Sequence, residues 1–416
     1  MTTNWAGTHT FSTDRIARPG SVEEIAALVA AEPRIRALGT AHSFNGIADT
    51  DGLLLSTAGL PRDIVIADDR RSARVPASLR YGDVARRLEQ AGLALHNMGS
   101  LPHISVAGAV ATGTHGSGNG NGVLSTAVTA LEIVTAGGTV IDIDRTDPDF
   151  DGYVVALGAL GIVTALTLEV EPSYLVRQDA VKHVPWSVVL SRLEAITDAG
   201  HSVSIFTDWL GDEVAEVLVK SRVDPADHVA DAPPFSLPAP LAEFADPADG
   251  VSAFAATLSG GVAGPWSERV PHFHLDAQPS AGGDEIQTEY FVDRRRGADA
   301  LEAVRALGPR LAPHLHITEL RTTAPDELWL SGSYGRPTLG IHFTWRKHPA
   351  EVAALIPLVE AALADFDARP HWGKVASPAA DGYARPRLAD FRELVAKHDP
   401  EGVFSNDFTR RVLATA

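Results

Sequence analysis

Cysteine is missing from all 416 residues. Disulfides, thiolate nucleophiles, zinc–thiolate centres and iron–sulfur clusters are thereby excluded. A reducing cytoplasm is the expected location, although a chain without thiols tolerates any redox compartment. Basic charge is scarce as well: 35 Lys and Arg stand against 53 Asp and Glu, a net charge of −18. So acidic a surface repels phosphate backbones and anionic bilayers, and neither nucleic acid nor a membrane is expected as a partner. No apolar run approaches the roughly 20 residues that span a bilayer. The opening segment MTTNWAGTHTFSTDR lacks the basic and apolar stretches of a signal peptide. Familiar catalytic signatures are absent too. There is no G-x-G-x-x-G fingerprint, no G-x-x-x-x-G-K-[ST] loop, no H-E-x-x-H and no G-x-S-x-G. A Rossmann nicotinamide enzyme, a P-loop NTPase and a nucleophile-elbow hydrolase are disfavoured accordingly.

What is present is a globular composition, 45% apolar and 21% charged, in a chain long enough for two or three domains. Ser21 followed by Glu24 forms a capping-box signature, and Val22, Ile25, Ala26 and Val29 give the ensuing helix one apolar face. The stretch RIRALGTAHSFNG (34–46) reads as a short strand that turns at Gly39-Thr40 and then presents His42. Residues 105–122 carry six glycines, which implies that backbone closely approaches something there. Residues 130–144 alternate around Gly137-Gly138 as a β-hairpin, and a Gly-rich turn at 158–161 enters a strand stopped by Pro172. Residues 224–249, rich in Pro, Ala and Asp, read as a long surface excursion. Strand patterns return at 285–292, 316–323 and 339–346, with helices expected between the first two and over 350–366. This βαββα order predicts an antiparallel sheet backed by helices. Three Gly-rich turns together suggest a large phosphate-bearing ligand held by backbone N–H groups.

The segments LGTAHSFN (38–45), NMGSLPHISVAGAVATGTHGSG (97–118) and LGALGIVTALTLEVEP (157–172) resemble the FAD-binding domain of vanillyl-alcohol-oxidase-type flavoproteins. The later ELRT (319–322), IHFTW (341–345), RPHWGK (369–374) and DPEGVFSNDF (399–408) resemble the alditol (xylitol) oxidase branch of the sugar-alcohol and aldonolactone oxidases. The motifs run in family order from about Asn4 to Leu413. The resemblance implies an α+β fold: a two-subdomain PCMH-type FAD-binding domain over 1–172, a substrate-binding cap domain over 173–375, and a C-terminal segment, 376–416, returning to the first. It implies FAD as cofactor, carried by an 8α-histidyl bond at His42; with no cysteine present, no second covalent link can form. The matching cofactor positions are Ala37, Leu38, Gly39, Thr40, Ala41, His42, Ser43, Ser100, Ser105, Gly108, Thr112, Gly113, Thr114, His115, Val163, His371 and Lys374. Substrate positions are Ser100, Glu319, Arg321 and Thr344. The catalytic set is Glu319, Arg321, His342 and Lys374.

The implied reaction oxidises the C1 hydroxyl of a polyol such as xylitol or sorbitol to the aldose and reduces O2 to hydrogen peroxide. A monomer is expected. Glu319 and His342 are rival acceptors of the hydroxyl proton, and Arg321 with Lys374 would stabilise developing negative charge. Taken singly, each residue has a plainer reading. A loop histidine is commonly a capped one, and Glu319–Arg321 reads equally as an ion pair on a solvated strand face. The competing functions are an aldonolactone oxidase or dehydrogenase on the same scaffold, a non-catalytic flavin-binding protein, and a metal-dependent hydrolase or cupin-like metal protein. The last rests on HFH (272–274) and HLH (314–316), each expected to put two histidines on one strand face without a carboxylate at metal-ligand spacing. No metal is therefore expected.

Overall fold

A computed structural model describes residues 2–223, 262–278, 280, 282–378 and 385–414. The excursion read at 224–249 lies outside the described residues. The helix of residues 22–31 opens at Ser21, whose hydroxyl accepts from Glu24 N at 3.2 Å. The return bond of the expected capping box lands one residue early, on Gly20 N at 2.7 Å, because Gly20 rather than Ser21 turns its amide toward the Glu24 carboxylate. Ile25 and Val29 on that helix pack over Ile35, Leu53 and Leu55 of a small sheet. That sheet is parallel, in the order β1-β3-β2, from β1 (Ile16–Ala17), β2 (Ile35–Ala37) and β3 (Leu53–Leu55).

The next strands are β4 (Val65–Ile66), β5 (Ser72–Pro76), β6 (Leu93–Ala94), β7 (Val128–Val134), β8 (Val140–Asp144), β9 (Ile162–Glu169) and β10 (Glu171–Pro172). Five of them form an antiparallel sheet in the order β4-β5-β9-β7-β8, and β6 pairs with β10. The expected hairpin is β7–β8, turning at Gly137 and Gly138, both with φ of +82°.

From Leu175 onward one eight-stranded antiparallel sheet dominates. Its strands are β11 (Leu175–Pro185), β12 (Ser202–Thr207), β13 (Glu213–Val223), β14 (Gly264–Pro265), β15 (Glu285–Asp293), β16 (Leu315–Thr323), β17 (Thr338–Arg346) and β18 (Arg369–Pro370). They lie in the order β14-β11-β13-β12-β16-β17-β15-β18. Period-two alternation gives this sheet two characters. Ile286, Tyr290, Leu320, Ile341, Phe343 and Trp345 face a core closed by helices 186–197, 297–305 and 349–362. The opposite positions, Gln287, Glu289, Glu319, Arg321, His342 and Thr344, face a cavity.

The C-terminal helices, 388–398 and 407–413, do not join that sheet. Phe391, Leu394, Phe408 and Val412 pack into the amino-terminal core with Val84, Leu88 and Leu131. Arg36 at the centre of β2 ties the pieces together, with its guanidinium donating to the carbonyls of Gly158, Leu157, Phe404 and Ile47. Among the described residues no helix is long and apolar enough to cross a membrane.

Candidate active site

Between the amino-terminal sheets and the eight-stranded sheet lies a cavity of about 1410 Å³. Ordinary small-molecule pockets occupy roughly 300–1,000 Å³, so this one has room for a dinucleotide-sized cofactor and a small substrate together. One end is backbone. Leu38 N is still bonded to Leu55 O at 2.8 Å, and Phe44 N reaches Gly373 O at 2.8 Å. The five amides between them, Gly39 to Ser43, donate to no described residue. Successive free N–H groups on a turn form an anion cradle. The cradle is held against the second Gly-rich stretch by Ser105 N donating to Thr40 Oγ1 at 3.2 Å. Gly39 lets the two stretches approach closely: a Cβ there would stand 2.4 Å from Ser105 Oγ and force that hydroxyl to turn away.

Ala41 takes a left-handed φ of +57°, a strained conformation for a residue with a Cβ, and this turn aims His42 into the cavity. The His42 ring stacks on Trp5 at 4.9 Å and 17°. Both of its ring nitrogens are buried with no hydrogen-bond partner of good geometry among the described residues. Burial pushes the ring's pKa down to about 4, helped by His103 and Lys374 and opposed only by the Thr40 backbone. A buried, neutral and unpartnered imidazole keeps a lone pair free for bond formation. The amide cradle, the cavity size and this ring all fit an FAD bound along the wall.

The other end of the wall is made by strand register. Glu319 pairs with His342 and His342 with Glu289, so β16, β17 and β15 set these three side chains in one row. Phe206 of β12 continues the row on the other side. Thr344 and Gln287 form the next row, and His342 Nε2 lies 3.2 Å from Thr344 Oγ1. Arg321 sits opposite Gly340, donates to Glu289 Oε1 at 3.1 Å and to Ser100 Oγ at 3.1 Å, and makes a 3.5 Å charge contact with Glu319. Glu319 Oε1 also meets Ser204 Oγ at 2.9 Å and His272 Nε2 at 2.7 Å. Burial raises the Glu319 carboxyl, but Arg321 and His272 outweigh it and hold the group well below the carboxylate range. Lys374 Nζ bonds Gln287 Oε1 and lies 5.5 Å from the Phe44 ring. Burial lowers its pKa to about 8, against the pull of Glu289. Burial also lowers His342 and, more strongly, His371, so both rings are neutral near pH 7.

Of the positions singled out in the sequence, Gly113 alone does not reach the cavity. Its φ of +62° serves the turn after the helix of residues 106–111, and its nearest neighbour is Val155. The remaining cofactor and substrate positions all line the wall, Val163 of β9 among them. The expected histidine pairs on strand faces do not form. HFH lies in a bend, because Lys220 Nζ binds the carbonyls of Val270 and Pro271 and turns the chain there. His314 ends a short 3₁₀ turn against His348. Among the described residues no group of three His, Asp or Glu side chains is placed to hold a metal. Gln287 and Glu289 belong to the wall and were not singled out from the sequence, nor was Ser204, which backs it through Glu319; His272, read as half of a metal-binding pair, lines the wall instead. Glu285, Gln287 and Glu289 recur at every second position of an otherwise apolar strand, a legible sign of a polar inward face.

Comparison with known proteins agrees with this geometry. Residues 13–144 match the FAD binding domain family and residues 284–412 the D-arabinono-1,4-lactone oxidase family. Alditol oxidase of Streptomyces sp. is 44% identical over 416 residues, covering 99% of this chain and 98% of the relative. L-gulono-1,4-lactone dehydrogenase of Mycobacterium tuberculosis is 29% identical over 436 residues, covering 99% and 98%. The crystal structure of cholesterol oxidase from B. sterolicum superposes with a TM-score of 0.77 at 13% identity, covering 99% of this chain and 96% of that one, and carries the fold alone. The chain belongs to the alditol oxidase family, flavoproteins with an FAD-binding domain of the vanillyl-alcohol-oxidase type.

Proposed function

We infer that this protein is an FAD-dependent alditol oxidase that converts the terminal C1 hydroxyl of an open-chain polyol, xylitol or sorbitol in type, to the aldose and reduces O2 to hydrogen peroxide. The observation that carries this reading is one cavity whose amide cradle and buried His42 lead directly to a wall of paired polar groups. Each polyol hydroxyl both donates and accepts, and a wall with fixed partners of both kinds rejects analogues that lack them. Bound FAD supplies the two-electron acceptor for the carbinol and hands those electrons to O2.

The chain's own residues do the rest. Ser100, Glu319, Arg321 and Thr344 hold the hydroxyls near C1. Glu319 is a poor base, since Arg321 keeps it ionised and its Oε1 already meets Ser204 and His272. His342 is neutral and its Nε2 stands beside Thr344 on the cavity wall, so it takes the hydroxyl proton. Arg321 and Lys374 stabilise the developing alkoxide. His42, with both nitrogens unpartnered, is the site of the covalent 8α-histidyl link. In this reading residues 1–172 and 376–416 carry the cofactor and residues 173–375 form the cap. The protein works as a monomer in this reading.

The second reading, an aldonolactone oxidase or dehydrogenase, is favoured by the match of residues 284–412. Peroxide release in air separates the two. Xylitol or sorbitol is expected to give peroxide at a kcat/KM at least about tenfold above that of gulonolactone. A preference for the lactone, or substrate oxidation without peroxide, would move the protein to the second class.

A further inference from the structure

The mechanism leaves a fully buried carboxylate without a task. Glu289 is 1% exposed, and Oε1 meets His115 Nε2 at 3.0 Å and Arg321 Nη2 at 3.1 Å while Oε2 meets His342 Nδ1 at 3.2 Å. We propose that Glu289 is a positioning residue: by accepting from His342 Nδ1 it fixes the ring tautomer whose Nε2 lone pair meets the substrate hydroxyl, and by binding His115 and Arg321 through its other oxygen it locks that ring to the cofactor-side loop. The inference deepens the proposed function and rests on its assignment of His342 as proton acceptor.

Three observations carry it. First, an ionised carboxylate only accepts, so the ring nitrogen facing it must carry the hydrogen. A histidine with Nδ1–H that stays neutral has its lone pair on Nε2, the nitrogen beside Thr344 on the cavity wall. Burial alone would protonate Glu289, yet His115 and Arg321 on its Oε1 hold it well below the carboxylate range. Second, space is kept for this contact. Gly340 stands opposite Arg321, and a Cβ there would lie 3.3 Å from Glu289 Oε1 and 3.5 Å from His115 Cε1. Third, the carboxylate joins separate parts of the fold. His115 belongs to the second Gly-rich stretch, Arg321 and His342 to β16 and β17, and Glu289 O accepts from His371 N at 3.0 Å. The charged or titratable groups facing this pair are His115, then Glu319 and Arg321 from β16, and His371 and Lys374 from the segment after β18. An ion pair kept only for stability would not select between the two nitrogens of a ring.

The test is ¹⁵N NMR of histidine-labelled holoenzyme, with the His342 signals assigned by their loss in His342→Gln. The wild type is expected to show a protonated Nδ1 and a lone pair on Nε2. Glu289→Gln offers an amide N–H to Nδ1 and should turn the ring to the Nε2–H form. Anaerobic reduction of its flavin by xylitol should slow by on the order of 10²-fold, the usual contribution of a positioned base. The acid limb of its pH profile should also move to lower pH, because the carboxylate that favours protonated His342 is gone while Arg321 and Lys374 remain. Glu289→Asp keeps a carboxylate and should keep the wild-type tautomer. A protonated Nε2 in the wild type, or an unchanged ring in Glu289→Gln, overturns the proposal. If Glu289→Gln does not accumulate folded, the wild-type and Glu289→Asp spectra still decide. A wild type with the expected ring that fails to oxidise polyols supports the tautomer control and overturns the substrate reading.

Discussion

His42 and Lys374 are asked to do different things by the same low-dielectric cavity. For His42, burial removes the charge, leaving a neutral ring for bonding. His42→Ala should therefore give acid-precipitated protein that is colourless, with any flavin released to the supernatant, whereas the wild-type pellet should stay yellow. For Lys374, burial brings the pKa down to about 8, so its ammonium is complete below that pH and lost above it. Xylitol oxidation should fall as pH rises through about 8. In Lys374→Met that alkaline limb should be absent from a uniformly slower profile, and a limb that persists unchanged would assign it to another group. Gly39 and Ala41 bracket the same turn differently: one leaves room for the Ser105 hydroxyl, and the other carries a Cβ at a φ of +57°. Strain of this kind persists where the surroundings over-determine the backbone, here Ala41 O held by Trp5 N at 2.8 Å.

Among the elements, β15, β16 and β17 were legible within a residue or two, because apolar core positions alternate with polar ones along each. The pairing partners β11, β12 and β13 were not. β11 buries Arg177 and Asp179 as a 2.6 Å ion pair, which breaks the alternation, and EVAEVLVK in β13 has the texture of a helix. Glu319 with Arg321, and His342 with Thr344, could be found because each pair shares one strand. The inward face of Glu289 is legible in its strand, but its meeting with His342 depends on register, and His272 arrives on a turn fixed by Lys220. Arg36 is a further long-range device, with four carbonyls from three segments on one guanidinium. Arg36→Leu leaves those carbonyls unsatisfied and should cost about 3 kcal/mol. Chemical denaturation would show it as a lower midpoint, and an unchanged midpoint would mean that Arg36 is not what anchors the C-terminal segment.

Across the whole molecule, one cavity lies between the sheets, and a histidine buried outside it shapes the acid response. Burial pushes His201 down to about 4, against about 6.5 in an unfolded chain. Its folded pKa is depressed, so the unfolded state takes up protons first. The stability it contributes is complete above about pH 6.5 and is lost as pH falls toward 4. Thermal midpoints should drop steadily across that window. His201→Gln should flatten the slope without touching the cavity, which His201 does not line. The claim that unites the two ends of the cavity is that an open-chain polyol donates electrons to FAD beside His342. Anaerobic mixing of the purified protein with xylitol tests it most directly. The account predicts that the flavin's visible absorption bleaches in a single turnover, returns when air is admitted, and bleaches far more slowly in His342→Gln. Bleaching by gulonolactone but not by xylitol, or at an unchanged rate in His342→Gln, would contradict it.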